Sequence, residues 1–139
     1  MSICQSGINF SCCFFERRKL RVDRRKVTGQ EGEDIAVRFL QEQGYKILER
    51  NYRCAQGEID IIACDNEDLV FVEVKTRTSL AFGYPQESIT RSKQFRLKKI
   101  ALRYLAEKRP FYQNYRFDVV SILLKNGKID SIDVIRNAF

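Results

Sequence analysis

The sequence predicts an α/β fold in which one helix precedes three strands and a second helix precedes two more. Three observations support this. Two segments space their apolar residues at the helical period and have defined ends. Five shorter segments are rich in aliphatic and aromatic residues and are separated by turn signals. The two kinds of segment alternate along the chain instead of segregating, which is the pattern of an α/β fold.

The first helix begins at Gly29, with Ile35, Ala36, Val37, Phe39 and Leu40 as its apolar face and Gly44 at a typical C′ position. Glu33 falls near the buried edge of this helix, whereas Glu31 and Asp34 point outward. Residues 45–53 read as the first strand, and Ala55-Gln56-Gly57 turns the chain into the second, residues 58–64. The acidic turn Asp65-Asn66-Glu67-Asp68 leads to the third, residues 69–77. Its run Val70, Phe71, Val72 and Val74 marks a central strand covered on both faces.

Residues 78–88 form a loop containing Phe82 and Tyr84, aromatics that suit a lid or dimer contact better than base stacking. A long helix follows from about residue 90 to residue 108, with Pro110 just beyond it. Leu97, Ile100, Ala101 and Tyr104 form its core stripe, and Lys93 lies on the same line. Residues 115–124 make the fourth strand, where Arg116 and Asp118 share a face and read as a structural ion pair near the site. Asn126-Gly127 is a hairpin signal, and Lys128–Ile135 is the fifth strand, at the sheet edge.

The 139 residues suffice for one domain with a real core, assigned to residues 29–139. Residues 1–28 read as a basic, poorly ordered extension outside the fold. This segment is either an arm for nucleic acid or anionic lipid, a tail without a role, or the product of an upstream start codon. No apolar run approaches the roughly 20 residues that span a bilayer, and the start lacks the layout of a signal peptide.

The chain has no histidine, which excludes Ser-His-Asp and Cys-His catalysis and histidine-based nucleases. Its five cysteines show no C-x-x-C spacing, and their odd number argues for reduced thiols and a cytoplasmic setting. The net charge of +7 divides unevenly: +5 over residues 1–28, −6 over 29–90 and +8 over 91–139. An acidic half beside a strongly basic one suits a carboxylate metal site next to a surface for polyanions.

Asp60, Glu73 and Lys75 stand in strands that should be apolar. Burying them costs several kcal/mol unless they are paired or bind a metal. Glu73 and Lys75 are two apart and share a face, and an antiparallel hairpin brings Asp60 beside Glu73 on that face, along with Glu58 and Ile62. Glu33 joins them if the first helix packs across it. Hard carboxylate oxygens select Mg²⁺ or Mn²⁺, and Lys75 beside such an ion can orient water or stabilise charge on a phosphate. The competing reading is a buried Glu73–Lys75 ion pair with Asp60 at a strand end; the strand context favours the metal site. Arg96, Lys99 and Arg103 form a candidate phosphate track on the second helix, and Arg91, Lys93 and Arg77 extend it toward the site.

Several segments carry a family resemblance: GQEGEDIA at residues 29–36, RNYR at 50–53, GEIDIIA at 57–63 and VFVEVKTR at 70–77. The matches continue with FGYPQESI at 82–89, KQFRL at 93–97 and RFDVV at 116–120. The chain resembles the YraN family of bacterial proteins in the restriction-endonuclease-like PD-(D/E)xK superfamily. That resemblance implies a restriction-endonuclease-like three-layer fold with a central mixed sheet flanked by helices. It also implies a divalent metal at Asp60, Glu73 and Lys75, with Glu33 in the place of the helical glutamate of resolvase-like relatives. The superfamily's proline is absent before Asp60, where Ile59 stands.

The function expected is a Mg²⁺- or Mn²⁺-dependent endonuclease acting on DNA rather than RNA, at branched or damaged structures. Branched-DNA nucleases of this fold often act as dimers, so a homodimer is within the implied range. The alternatives are a non-catalytic nucleic-acid-binding module of the same fold, or a protein-binding adaptor. The adaptor leaves Asp60, Glu73 and Lys75 unexplained.

Overall fold

A computed structural model describes residues 29–79, 81, 83, 87 and 89–139. The extension expected over residues 1–28 lies outside the described residues, as do Phe82 and Tyr84. Helix α1 (Gly29–Glu42) ends in a Schellman arrangement: Tyr45 N–H donates to Leu40 O at 2.9 Å and Gly44 N–H to Gln41 O at 3.1 Å. Gly44 takes φ +92 there, a conformation that a side chain would oppose.

Strands β1 (Lys46–Cys54), β2 (Gly57–Asp65) and β3 (Asp68–Arg77) follow as an antiparallel meander. The β2–β3 turn is closed by the Asp65–Asp68 pair, with Asn66 at φ 54. Helix α2 (Arg91–Lys108) carries the chain over to β4 (Asn114–Lys125), which pairs parallel with β3 over its whole length. The expected hairpin at Asn126 joins β4 to β5 (Lys128–Ile135), closed by the Lys125–Lys128 pair. The sheet order is β1-β2-β3-β4-β5, with β3 at the centre and β1 and β5 at the edges.

The two helices cover opposite faces of the sheet. Leu97, Ile100, Ala101 and Tyr104 of α2 pack with Ile59, Ile62, Leu69, Phe71, Phe117 and Val119. Ala36 and Leu40 of α1 pack with Ile61, Ala63, Val70, Val72, Val120 and Ile122. The alternation Leu69, Phe71 against Val70, Val72 along β3 is what feeds two cores from one strand. The result is a mixed five-stranded sheet between two helices, consistent with the expected three layers.

One consequence corrects the sequence reading. Glu73 and Lys75 continue the Phe71 side of β3 and so face α2, whereas α1 lies on the other side. Glu33 therefore does not approach by packing across their face. Gly32, buried at the start of α1, sets how closely the helix approaches β3: a Cβ there would sit 2.6 Å from Thr76 Oγ1.

Arg116 is also not where the sequence reading put it. Its guanidinium reaches the β2–β3 turn, with Nη2 on Asp65 Oδ2 at 2.6 Å, Nη1 on Asp68 Oδ2 at 2.8 Å and Nε on Asp118 Oδ1 at 3.0 Å. The ion pair with Asp118 exists, but Arg116 sits opposite Val70 in the parallel register, three residues from Glu73. It locks the far end of the strand and does not border the candidate site.

Candidate functional site

The β2–β3 ladder runs from Asp65–Asp68 to Ile61–Val72 and stops there, one step before Asp60 would face Glu73. The strands part at this point because β2 loses its alternation. Ile59 packs on the α2 side and Ile61 on the α1 side, although strict alternation would place both on one face. Across from the irregularity, Asn51 of β1 has φ 51, and neither Asn51 nor Asp60 takes part in the β1–β2 pairing. The face expected for Asp60, shared with Glu58 and Ile62, is thus broken up, and Glu58 is an exposed partner of Arg53 at 2.9 Å. Asp60 instead turns its Oδ2 to the Val74 N–H at 2.8 Å, a ladder donor left over by the split.

This position exposes Asp60 to charges from both layers. Burial, and then the Glu73 carboxylate, push its carboxyl up to about 6; Glu33 adds to the rise, while the Val74 N–H and Lys93 oppose it. Glu33 thus acts on Asp60 by charge across the gap.

Glu73 is 7% exposed. Its Oε1 accepts from Lys75 Nζ at 3.2 Å and also from Lys93 Nζ. Burial, and then the adjoining Lys93, bring the Lys75 ammonium below its usual range, against the pull of Glu73. For Lys93 burial also pulls downward, but Glu73 and Asp60 outweigh it and hold the ammonium above its usual range. Lys93 was expected to bind nucleic acid from a helix start that could reach the site, and its ammonium lies on Glu73 Oε1. Its spacing of four and seven residues from Leu97 and Ile100 on the core stripe was the available signal.

The remaining basic residues of the expected track stay outside. Arg91, Arg96, Lys99 and Arg103 are exposed on α2, with Arg103 Nε on Glu107 Oε1 at 2.7 Å and Lys99 Nζ 4.6 Å from the ring centre of Phe95. Phe95 itself is 64% exposed, an aromatic among cations that sequence reasoning passed over. Arg77 donates to Gly83 O at 2.9 Å.

Asp60 and Glu73 offer hard oxygen donors at a half-buried point of concentrated negative charge. Such a donor set fits Mg²⁺ or Mn²⁺, since Mg²⁺ commonly takes one or two protein carboxylates and fills its other positions with water and phosphate. Among the described residues no three carboxylate or thiol groups stand together in a metal-holding arrangement, so Glu33 is not a third member as the side chains lie.

The charge of Asp60 should cost the metal-free protein stability. Its carboxyl is raised from an ordinary 3.8 to about 6, so its stabilising share is complete below pH 4 and disappears as pH rises through about 6. Asp60→Asn keeps an acceptor for Val74 N–H without the charge. In chelator at pH 8 the variant should be more stable by about 1–3 kcal/mol. Denaturant melts should show the gap closing between pH 6 and pH 4; a variant less stable at both ends would refute this.

The model of the Uncharacterised protein family UPF0102 matches residues 32–122, a span that contains Glu33, Asp60, Glu73, Lys75 and Lys93. The chain belongs to this family. A UPF0102 protein of Dictyoglomus thermophilum is 49% identical over 115 residues, covering 82% of this chain and 98% of the relative. Those of Caldicellulosiruptor saccharolyticus and Syntrophus aciditrophicus are 50% and 51% identical, over 80% and 81% of this chain and 95% and 87% of theirs. UPF0102 is the family that the YraN-type motifs pointed to.

Proposed function

We propose that the protein is a metal-dependent nuclease with a restriction-endonuclease-like fold, hydrolysing phosphodiester bonds in DNA through Asp60, Glu73 and Lys75. The observation that carries this reading is the opening of the β2–β3 ladder at Asp60, which sets two carboxylates beside a lysine of lowered basicity. Buried charge at the mouth of such a strand split costs stability unless it is paired or bound.

In this reading Asp60 and Glu73 hold Mg²⁺ or Mn²⁺. When bound, the ion polarises the scissile phosphoryl group and acidifies its own water. Lys75 stays on the α2 side of β3, fixed by its bond to Glu73, where it orients the attacking water or stabilises charge developing on the phosphate. Glu33 deepens the negative charge that favours a cation at Asp60. The exposed cations of α2 hold the phosphate backbone without reading sequence, which suits recognition of branched or damaged structures. Among the described residues Cys54 and Cys64 are free thiols, and no helix is long and apolar enough to cross a membrane. A cytoplasmic setting agrees with both.

The test is incubation of the purified chain with branched, flapped, duplex and single-stranded DNA in Mg²⁺ or Mn²⁺, with and without chelator. Cleavage of at least one substrate that chelator abolishes is expected; no cleavage of any would overturn the reading. A non-catalytic nucleic-acid-binding module remains the second reading. It is favoured by the two lysines already on Glu73 Oε1 and by the want of a three-carboxylate group among the described residues.

The α2 surface has its own test. Arg96→Ala combined with Arg103→Ala should lower the slope of log affinity against log salt by about 1–2, one step of about 0.9 for each phosphate no longer neutralised. An unchanged slope would return this face to ordinary solvated charge.

A further inference from the structure

Lys75 and Lys93 both donate to Glu73 Oε1, but they are held very differently. Lys75 stands two residues from Glu73 on the same face of β3, so the strand itself keeps it there. Lys93 arrives from the first turn of α2, on a flexible four-carbon arm. Thr90 fixes that turn by accepting from Lys93 N–H at 3.3 Å, and Arg91 and Arg96 are exposed on the same helix. The Lys93 ammonium therefore has a retained partner inward and a cationic, solvent-facing helix outward.

We propose that Lys93 is an internal counter-ion of Glu73 that couples metal loading to phosphate binding. This rests on the nuclease reading above, since it concerns how Glu73 becomes available to a divalent ion. An ammonium and a divalent cation compete for the same carboxylate oxygen. While Lys93 occupies Glu73 Oε1, metal binds weakly. A substrate phosphate offers Lys93 another anionic partner, and each phosphate that draws the ammonium away frees Glu73 for the metal. Linkage makes the effect reciprocal: metal strengthens phosphate binding by the same factor. Glu73 is thereby kept paired without substrate and is opened to the metal when a phosphate arrives.

The test measures Mn²⁺ affinity of the full chain without nucleic acid, for wild type, Lys93→Gln and Lys98→Gln. Gln keeps a hydrogen bond to Glu73, and Lys98 gives the same charge change on the exposed face of α2. Lys93→Gln should bind Mn²⁺ about tenfold more tightly than wild type, the affinity equivalent of one charged hydrogen bond. Lys98→Gln should match wild type. In parallel, Mn²⁺ should raise the affinity of wild type for a phosphorothioate oligonucleotide, and should do so less for Lys93→Gln. Equal or weaker Mn²⁺ binding by Lys93→Gln would overturn the proposal, as would equal tightening by Lys98→Gln. Those outcomes leave the nuclease reading intact. Mn²⁺ binding by none of the three proteins would instead defeat the metal site, and this coupling with it.

Discussion

Lys75→Ala and Glu73→Ala should each abolish most cleavage while leaving the fold and nucleic-acid binding in place. Lys75 is half-buried and held 3.2 Å from Glu73 Oε1, so its ammonium is positioned before substrate arrives. Preorganised donors of this kind typically contribute 10²–10³-fold to rate, and loss of Lys75 is expected to cost about that much. Loss of Glu73 removes one of the two oxygens proposed to hold the metal and leaves two ammonium groups facing each other, so its effect on cleavage should be at least as large. Binding should persist in both variants, because the exposed cations of α2 are untouched. Single-turnover cleavage beside a binding isotherm separates the two. A Lys75→Ala protein that cleaves at the wild-type rate would remove Lys75 from the chemistry.

Arg116→Ala should be the most destabilising single change outside the hydrophobic core. Asp118 is 0% exposed and accepts from Arg116, from Tyr45 OH at 2.9 Å and from Asn137 N–H at 3.0 Å. Burial works against the Arg116 charge, but the bonds to Asp118 and Asp65 more than compensate and hold it protonated beyond its usual range. Removing the guanidinium leaves a buried carboxylate with its main charge partner gone, which costs about 3–5 kcal/mol. Arg116→Lys should recover little of this, since three separate nitrogens serve Asp65, Asp68 and Asp118. Denaturant unfolding at neutral pH measures the loss. A loss below about 1 kcal/mol would show that the network is dispensable, as surface pairs commonly are.

The elements themselves were legible because their signals are local. The Asn126 hairpin, the Gly44 helix end and the aliphatic run of β3 each follow from residue types a few positions apart. Glu73 and Lys75 were legible together for the same reason, since two-residue spacing fixes a shared face in any strand. Asp60 was identified as a site residue but placed wrongly, because its position depends on an irregularity shared with Asn51 on the neighbouring strand. The sides taken by α1 and α2 depend on how the sheet is threaded, so Glu33 was expected on the wrong face of it. Arg116 depends on the parallel β3–β4 register, which brings it to aspartates about 50 residues earlier in the chain. Lys93 was legible as a residue that reaches the site because its helical phase follows the core stripe, but its pairing with Glu73 depends on how α2 lies on β3.

Direct Mn²⁺ binding to wild type, Asp60→Asn and Glu73→Gln tests the central claim without relying on a substrate. Wild type should bind at a single site, and each substitution should weaken that site by about tenfold or more, one charged oxygen ligand removed in each case. Unchanged affinity in both variants would place any bound metal elsewhere and contradict the assignment of Asp60 and Glu73.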